Sequence, residues 1–166
     1  MRAGVAFGSN LGDRLANLRK ARSKIASLSS VRPPMRASAI YETEPVGCET
    51  GAAKFLNAAI EFEYLGEAQD LLRELAAIEK LLGRPATHAR NVSRTIDLDL
   101  LYFGDLEIEI AKLQLPHPRI TEREFVLRPL ADIRPDLFLP KQTESVRALL
   151  LRLTDAGAVV RVDGEW

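Results

Sequence analysis

Arg94-Thr95-Ile96-Asp97-Leu98-Asp99-Leu100-Leu101-Tyr102-Phe103-Gly104 is the run on which the architecture turns. It is too rich in apolar, β-branched and aromatic residues for a loop, and Gly104-Asp105 closes it in the manner of a hairpin turn. As a strand it sends Ile96, Leu98, Leu100 and Tyr102 to one face and Thr95, Asp97, Asp99, Leu101 and Phe103 to the other. Two carboxylates then stand side by side, roughly 7 Å apart along the backbone. Acidic residues on an alternating strand commonly mark only a solvated face. Here Leu101 and Phe103 continue the same face as apolar residues. Arg94 stands at the mouth of the strand, and Arg84 and Arg90 precede it. Like charges this close resist burial unless a cation lies between them, and hard carboxylate oxygens suit magnesium. Carboxylates with arginines suggest a polyphosphate held by metal and guanidinium together.

The totals limit the rest. A chain of 166 residues is one domain, residues 1–166, able to bury a core. Lys+Arg and Asp+Glu both number 23, so no basic excess serves nucleic-acid binding. Cys48 is the only cysteine, which excludes an internal disulfide and fits a reducing, cytoplasmic setting. The opening apolar run is too short for a signal peptide, and no stretch is long and apolar enough for a membrane span.

Working outward, residues 2–7 predict a strand and 8–12 a turn, with Asp13 capping a helix over 14–29. Arg32-Pro33-Pro34 is expected to end that helix, before a strand over 36–43 and a small-residue loop over 45–54. Residues 55–64 alternate as a strand whose core face is Leu56, Ala58, Ile60, Phe62 and Tyr64. Asn57 shares the other face with Phe55. A helix over 66–82 ends at Gly83. After Gly104, residues 106–110 look like the return of a hairpin. An extended piece over 113–118, a helix over 122–133 interrupted near Pro129, a helix over 144–153 and a strand over 159–162 complete the chain. The order predicts an α+β, ferredoxin-like βαββαβ core, an antiparallel sheet with helices packed on one face.

No P-loop is present, and the Gly8/Gly12 turn reads as structural. His88 reads as a solvated loop residue. His117 is fixed between two prolines and, with Arg119 and Arg123 behind it, is suited to donate to phosphate oxygens. Phe55 and Phe125 are core aromatics by default. An aromatic plane beside the Asn57 amide is also a reader for a flat heterocycle. Residue chemistry alone leads to a metal-dependent phosphate site beside an aromatic/amide pocket.

Several stretches together resemble the 6-hydroxymethyl-7,8-dihydropterin pyrophosphokinase family of folate biosynthesis. They are Gly8-Ser9-Asn10-Leu11-Gly12-Asp13, Tyr41 to Gly47, Phe55 to Ala59, Ile78-Glu79 with Leu82-Gly83-Arg84, Arg94 to Leu101, Pro116-His117-Pro118-Arg119, and Glu122 to Leu130. The resemblance implies transfer of pyrophosphate from ATP to the pterin hydroxymethyl group, with release of AMP. It implies two magnesium ions on Asp97 and Asp99, with Arg84 and Arg94 as catalytic residues beside them. ATP would be held by Arg84, Arg94, Leu100, Lys112, His117 and Arg123. The pterin would be sandwiched by Phe55 and Phe125 and read by Asn57, with backbone groups near Thr43 and Val46. It further implies mobile lids over 45–54 and 84–93; charge and apolar run lengths give the expectation of no nucleic-acid or membrane partner, and a monomer is expected. In the second of these, Asn91 stands where the family often has tryptophan and Ala86 where it has arginine. The alternatives are a pterin- and ATP-binding homologue of weak turnover, and a ferredoxin-like RNA-binding module, which the acidic strand and zero net charge disfavour.

Overall fold

The computed structural model describes residues 1–45, 51–83, 93–153 and 159–166. Half of the expected loop 45–54 and all of 84–93 but its last residue fall outside them, as do Val46, Cys48, Arg84, His88, Arg90 and Asn91. The elements in chain order are β1 (Arg2–Ser9), α1 (Arg14–Ala26), β2 (Val31–Ala37), β3 (Ile40–Thr43), β4 (Phe55–Tyr64), α2 (Ala68–Leu81) and β5 (Asp97–Phe103). They continue with β6 (Ile108–Ile110), β7 (Leu113–Leu115), a 3-10 turn over Ile120–Glu122, α3 (Glu124–Ile133), α4 (Val146–Leu151) and β8 (Val160–Val162). The main sheet runs β5-β1-β4-β3-β8, with β2 also paired to β4, and every pairing is antiparallel. This is the predicted ferredoxin-like order, extended by β8.

Helices cover both faces, where one covered face was expected. Leu18, Ala21 and Ile25 of α1 and Leu71, Leu75 and Ile78 of α2 pack on Val5, Phe7, Leu56, Ile60 and Phe62. On the opposite face, Val126, Leu127 and Leu130 of α3 and Val146, Leu149 and Leu150 of α4 pack on Ala6, Leu101 and Tyr102. The second layer explains why Asn57, Ala59 and Glu61 are as buried as their core-facing neighbours. The Asp13 side chain caps α1 by accepting the Ala16 amide, and Gly83 follows α2 at φ +95°, where a Cβ would be strained.

Four local expectations are corrected. The two prolines lie inside β2 rather than ending a helix; β2 is an edge strand, and the prolines fall where its pairing with β4 is irregular. Residues 106–110 do not return along β5: Ile108–Ile110 pairs with Leu113–Leu115 instead. Pro129 does not interrupt α3, which runs through it from Glu124 to Ile133. Finally, strict alternation fails within β5. Gly4 pairs with Tyr102 but Val5 with Leu100, so Leu101 is an extra residue, and the faces exchange beyond it. Phe103 therefore joins Leu98 and Leu100 in the first core, while Tyr102 turns to the second. Its ring lies over Gly4, where a Cβ would come within 2.2 Å of Tyr102 Cε1, so this position accepts only glycine.

Candidate active site

The sheet register sets the site out in rows. Asp97 pairs with Gly8, Gly8 with Asn57, and Asn57 with Tyr41; in the next row Asp99 pairs with Ala6, and Ala6 with Ala59. Small residues on β1 thus leave an open shelf between the acidic strand and the amide, about 10 Å across at two strand spacings. A Cβ on Gly8 would lie 3.6 Å from Asn57 Oδ1 and 3.7 Å from both Asp97 Cβ and a Phe55 ring carbon. Gly8, expected to be a turn residue, is therefore the floor on which acid, amide and aromatic ring converge. Asn57 is buried and donates from Nδ2 to Thr43 Oγ1 at 2.8 Å, which fixes its amide plane.

Each carboxylate has a guanidinium beside it. Arg94 donates to Asp97 Oδ2 at 2.7 Å, and Arg123 lies 3.8 Å from Asp99 Oδ2 and 5.5 Å from the centre of the Phe125 ring. Between the acids, the outward amide of Leu98 donates to Glu79 Oε1 of α2 at 2.7 Å. That bond holds the edge of β5 and keeps Asp97 and Asp99 on a common face. Among the described residues no cluster of three or more His, Cys, Asp or Glu side chains forms a metal cage. Two partly exposed carboxylates alone fit magnesium, which usually takes one or two protein carboxylates and fills its other positions with phosphate oxygens and water.

Beside the outer edge of β5 lies a cleft of about 530 Å³. Its apolar part includes Leu72, Leu98, Leu100, Ile110 and Leu113, and its polar part is Asp99, Glu109, Lys112, Gln114 and His117. The extra residue in β5 bears on this cleft, because the Leu101 carbonyl accepts the His117 amide at 2.8 Å. His117 Nδ1 in turn accepts the Arg119 amide at 3.2 Å, leaving Nε2–H free to donate. Burial, followed by the charges of Arg123 and Arg119, pushes the imidazole pKa down to about 4. The ring is thus neutral at neutral pH. Its folded pKa lies below the usual 6.5, so the unfolded chain takes up this proton first as pH falls. Stability is expected to be level above about pH 6.5 and to drop between about 6.5 and 4. His117→Gln should flatten that drop in thermal melts taken across the window.

The structure thus gathers Arg94, Asp97, Asp99, His117, Arg123 and Phe125, with Leu100 and Lys112 along the cleft and Thr43, Phe55 and Asn57 across the shelf. Arg84 and Val46 lie outside the described residues. Against this geometry, the family model for 7,8-dihydro-6-hydroxymethylpterin-pyrophosphokinase matches residues 4–135.

The chain belongs to this pyrophosphokinase family.

Among its relatives, the 2-amino-4-hydroxy-6-hydroxymethyldihydropteridine pyrophosphokinase of Bacillus subtilis is 44% identical over 129 residues, 78% of this chain and 75% of the relative. The enzyme of the same name from Methylorubrum extorquens is 38% identical over 156 residues, 94% of this chain and 96% of the relative. The crystal structure of Plasmodium falciparum HPPK-DHPS with pteroate superposes with a TM-score of 0.71 at 14% identity, covering 91% of this chain and 42% of that longer one. This last likeness bears on fold alone. As a pyrophosphokinase of this family, the chain transfers pyrophosphate from ATP to hydroxymethyldihydropterin in folate synthesis.

Two features of this pyrophosphokinase escaped sequence reasoning. Glu79 belongs to the quoted resemblance but carried no role there. Asn10, read as part of a structural turn, is 2% exposed and bonded on all sides. Its Nδ2 donates to Ala53 O at 3.2 Å and Ser93 Oγ at 3.0 Å, while Oδ1 accepts the Arg94 amide at 2.7 Å. Its own amide donates to Arg94 O at 3.1 Å, and neighbouring Ser9 donates to Thr95 O at 2.6 Å. The side chains after β1 therefore tie down the backbone of Arg94 and the approach to Phe55. A polar pair after an apolar strand carries no signal of such distant partners. Asn10→Ala removes three part-buried hydrogen bonds and should lower stability by about 2 kcal/mol, read by thermal or urea unfolding. A loss below a few tenths of that would mean the groups find water instead.

Proposed function

We propose that residues 1–166 act as one monomeric, cytoplasmic pyrophosphokinase domain in which Asp97 and Asp99 hold two magnesium ions against the phosphates of ATP. The observation that carries this is the juxtaposition of an arginine-flanked acid pair, a cleft with an apolar and a polar end, and the Asn57/Phe55 shelf. In the cleft, Leu100 and its apolar neighbours receive the base, and Lys112, His117, Arg94 and Arg123 receive the phosphates, with Arg84 as a further cation. His117 donates from Nε2–H as a neutral group. Across Gly8, Asn57 reads the edge of the pterin between Phe55 and Phe125, with the backbone near Thr43 and Val46 completing the pocket.

In the reaction the hydroxymethyl oxygen forms a bond to the β-phosphorus. The bond from that phosphorus to the oxygen bridging to the α-phosphate breaks, and AMP leaves with that oxygen while the hydroxyl proton passes to solvent. The chemistry that magnesium supplies when bound is neutralisation of phosphate charge and acidification of the attacking hydroxyl. Arg94 and Arg123 add charge-assisted hydrogen bonds where charge shifts in the transition state. Asn57 and the two rings hold the acceptor in line, and such placement is a large share of catalysis in phosphoryl transfer. The test is AMP release from ATP and magnesium with and without the pterin alcohol. Pterin-dependent AMP is expected. Binding of both substrates with no AMP above the pterin-free control would overturn the reading and leave only a binding homologue.

A further inference from the structure

Helix α3 lies across the strands as a bar pinned at both ends. At its start, Arg123 meets Asp99 of β5. At its end, Asp132 accepts the Tyr41 hydroxyl at 2.9 and 3.0 Å and the Ala39 amide at 3.0 Å, which places it on β3. Just beyond, Arg134 pairs with the buried Glu61 of β4, which also accepts the Tyr102 hydroxyl at 2.7 Å. The lengths agree. Nine helical steps rise about 13.5 Å, and three strand spacings from β5 to β3 span about 14 Å.

The two pins differ in kind. The Arg123–Asp99 contact is loose at 3.8 Å, and both partners are claimed by ATP and cations in the reading above. That end is remade in every turnover, so the Asp132 end has to fix the bar. Phe125 lies seven residues before Asp132, on the same stripe of the helix, and packs against the core cluster that includes Ala6, one row from Gly8. We infer that Asp132, gripped by Tyr41 and the Ala39 amide, is a positioning residue that sets the height of Phe125 over the shelf and so the affinity for the pterin. Tyr41 is also the register partner of Asn57, so one strand carries both the anchor and the neighbour of the reading amide. Burial and then the Asp132 carboxylate raise the Tyr41 pKa to about 12, so the hydroxyl stays a donor.

This inference rests on the proposed pterin pocket, and the test separates the two. Equilibrium titration of the pterin alcohol, in the presence of magnesium and a non-hydrolysable ATP analogue, is compared for wild type, Asp132→Ala, Asp132→Asn and Tyr41→Phe. Asp132→Ala should weaken pterin binding about tenfold and Tyr41→Phe about threefold, with affinity for the ATP analogue within about twofold of wild type. Asp132→Asn, which keeps a planar acceptor oxygen, should restore most of the loss. Unchanged pterin affinity in both Asp132→Ala and Tyr41→Phe overturns the inference, as does parallel weakening of pterin and nucleotide. Should Asp132→Ala fail to fold, Tyr41→Phe decides alone, since its ring still fills the site. Failure of wild type to bind the pterin alcohol would instead remove the pocket itself, and the inference with it.

Discussion

Asp97→Ala and Asp99→Ala are each expected to lower pterin-dependent AMP formation by at least about a thousandfold, while the melting temperature stays within a few degrees of wild type. The two halves of this expectation have separate causes. β5 is held by its antiparallel pairing to β1 and by Leu98, Leu100, Leu101 and Phe103 in the cores, none of which needs the carboxylates. The acid side chains are partly exposed, and each arginine left behind still reaches water. In the proposed reading ATP, in contrast, brings about four negative charges into a site that already holds two, and cations shared with Asp97 and Asp99 would make that approach favourable. Asn variants should behave like Ala, because the neutral amide keeps shape but not charge. AMP formation above a tenth of wild type by either Ala variant would show that the acids are not the metal ligands.

Arg94→Ala should lower turnover by roughly a hundredfold to a thousandfold. Its backbone is fixed on both sides by Asn10, so the guanidinium is the only movable part of this residue and swings from a defined point. In the proposed reading, cations held by Asp97 would leave the fork that now bonds its Oδ2 able to turn toward phosphate oxygens. Arg94→Lys should recover only part of the loss, since an ammonium lacks the planar two-point geometry. Single-turnover measurement separates this from weaker binding. A variant that regains the full rate at saturating ATP would reduce Arg94 to a binding residue.

Much of this was legible in the sequence, for reasons that can be named. Period-two alternation in Phe55–Tyr64 assigned both faces of β4 correctly, because β4 pairs with β1 without a break from Leu56 to Glu63. The same rule misassigned Tyr102 and Phe103, because an extra residue leaves no trace in side-chain type. That irregularity bears on the site, for its carbonyl docks His117. The acid pair was visible because two carboxylates in a strand built for burial demand a physical reason. Asn10 and Glu79 were not, because their partners lie 84 and 19 residues away and nothing local distinguishes a buried amide clip from a turn residue. The C-terminal helices were read as further cover for the sheet, but their face was not assigned, for a related reason: an apolar stripe does not say which face of the sheet it will cover.

The central claim is that the acid pair admits a nucleotide only in company with cations. Calorimetric titration of a non-hydrolysable ATP analogue, with magnesium and then with a chelator, tests it directly on wild type and on the double variant Asp97→Asn/Asp99→Asn. Wild type should lose at least about tenfold in affinity when magnesium is removed. The double variant should show little dependence on magnesium and, without it, bind at least as well as wild type, since the repelling charges are gone. Equal magnesium dependence in both proteins would contradict the account.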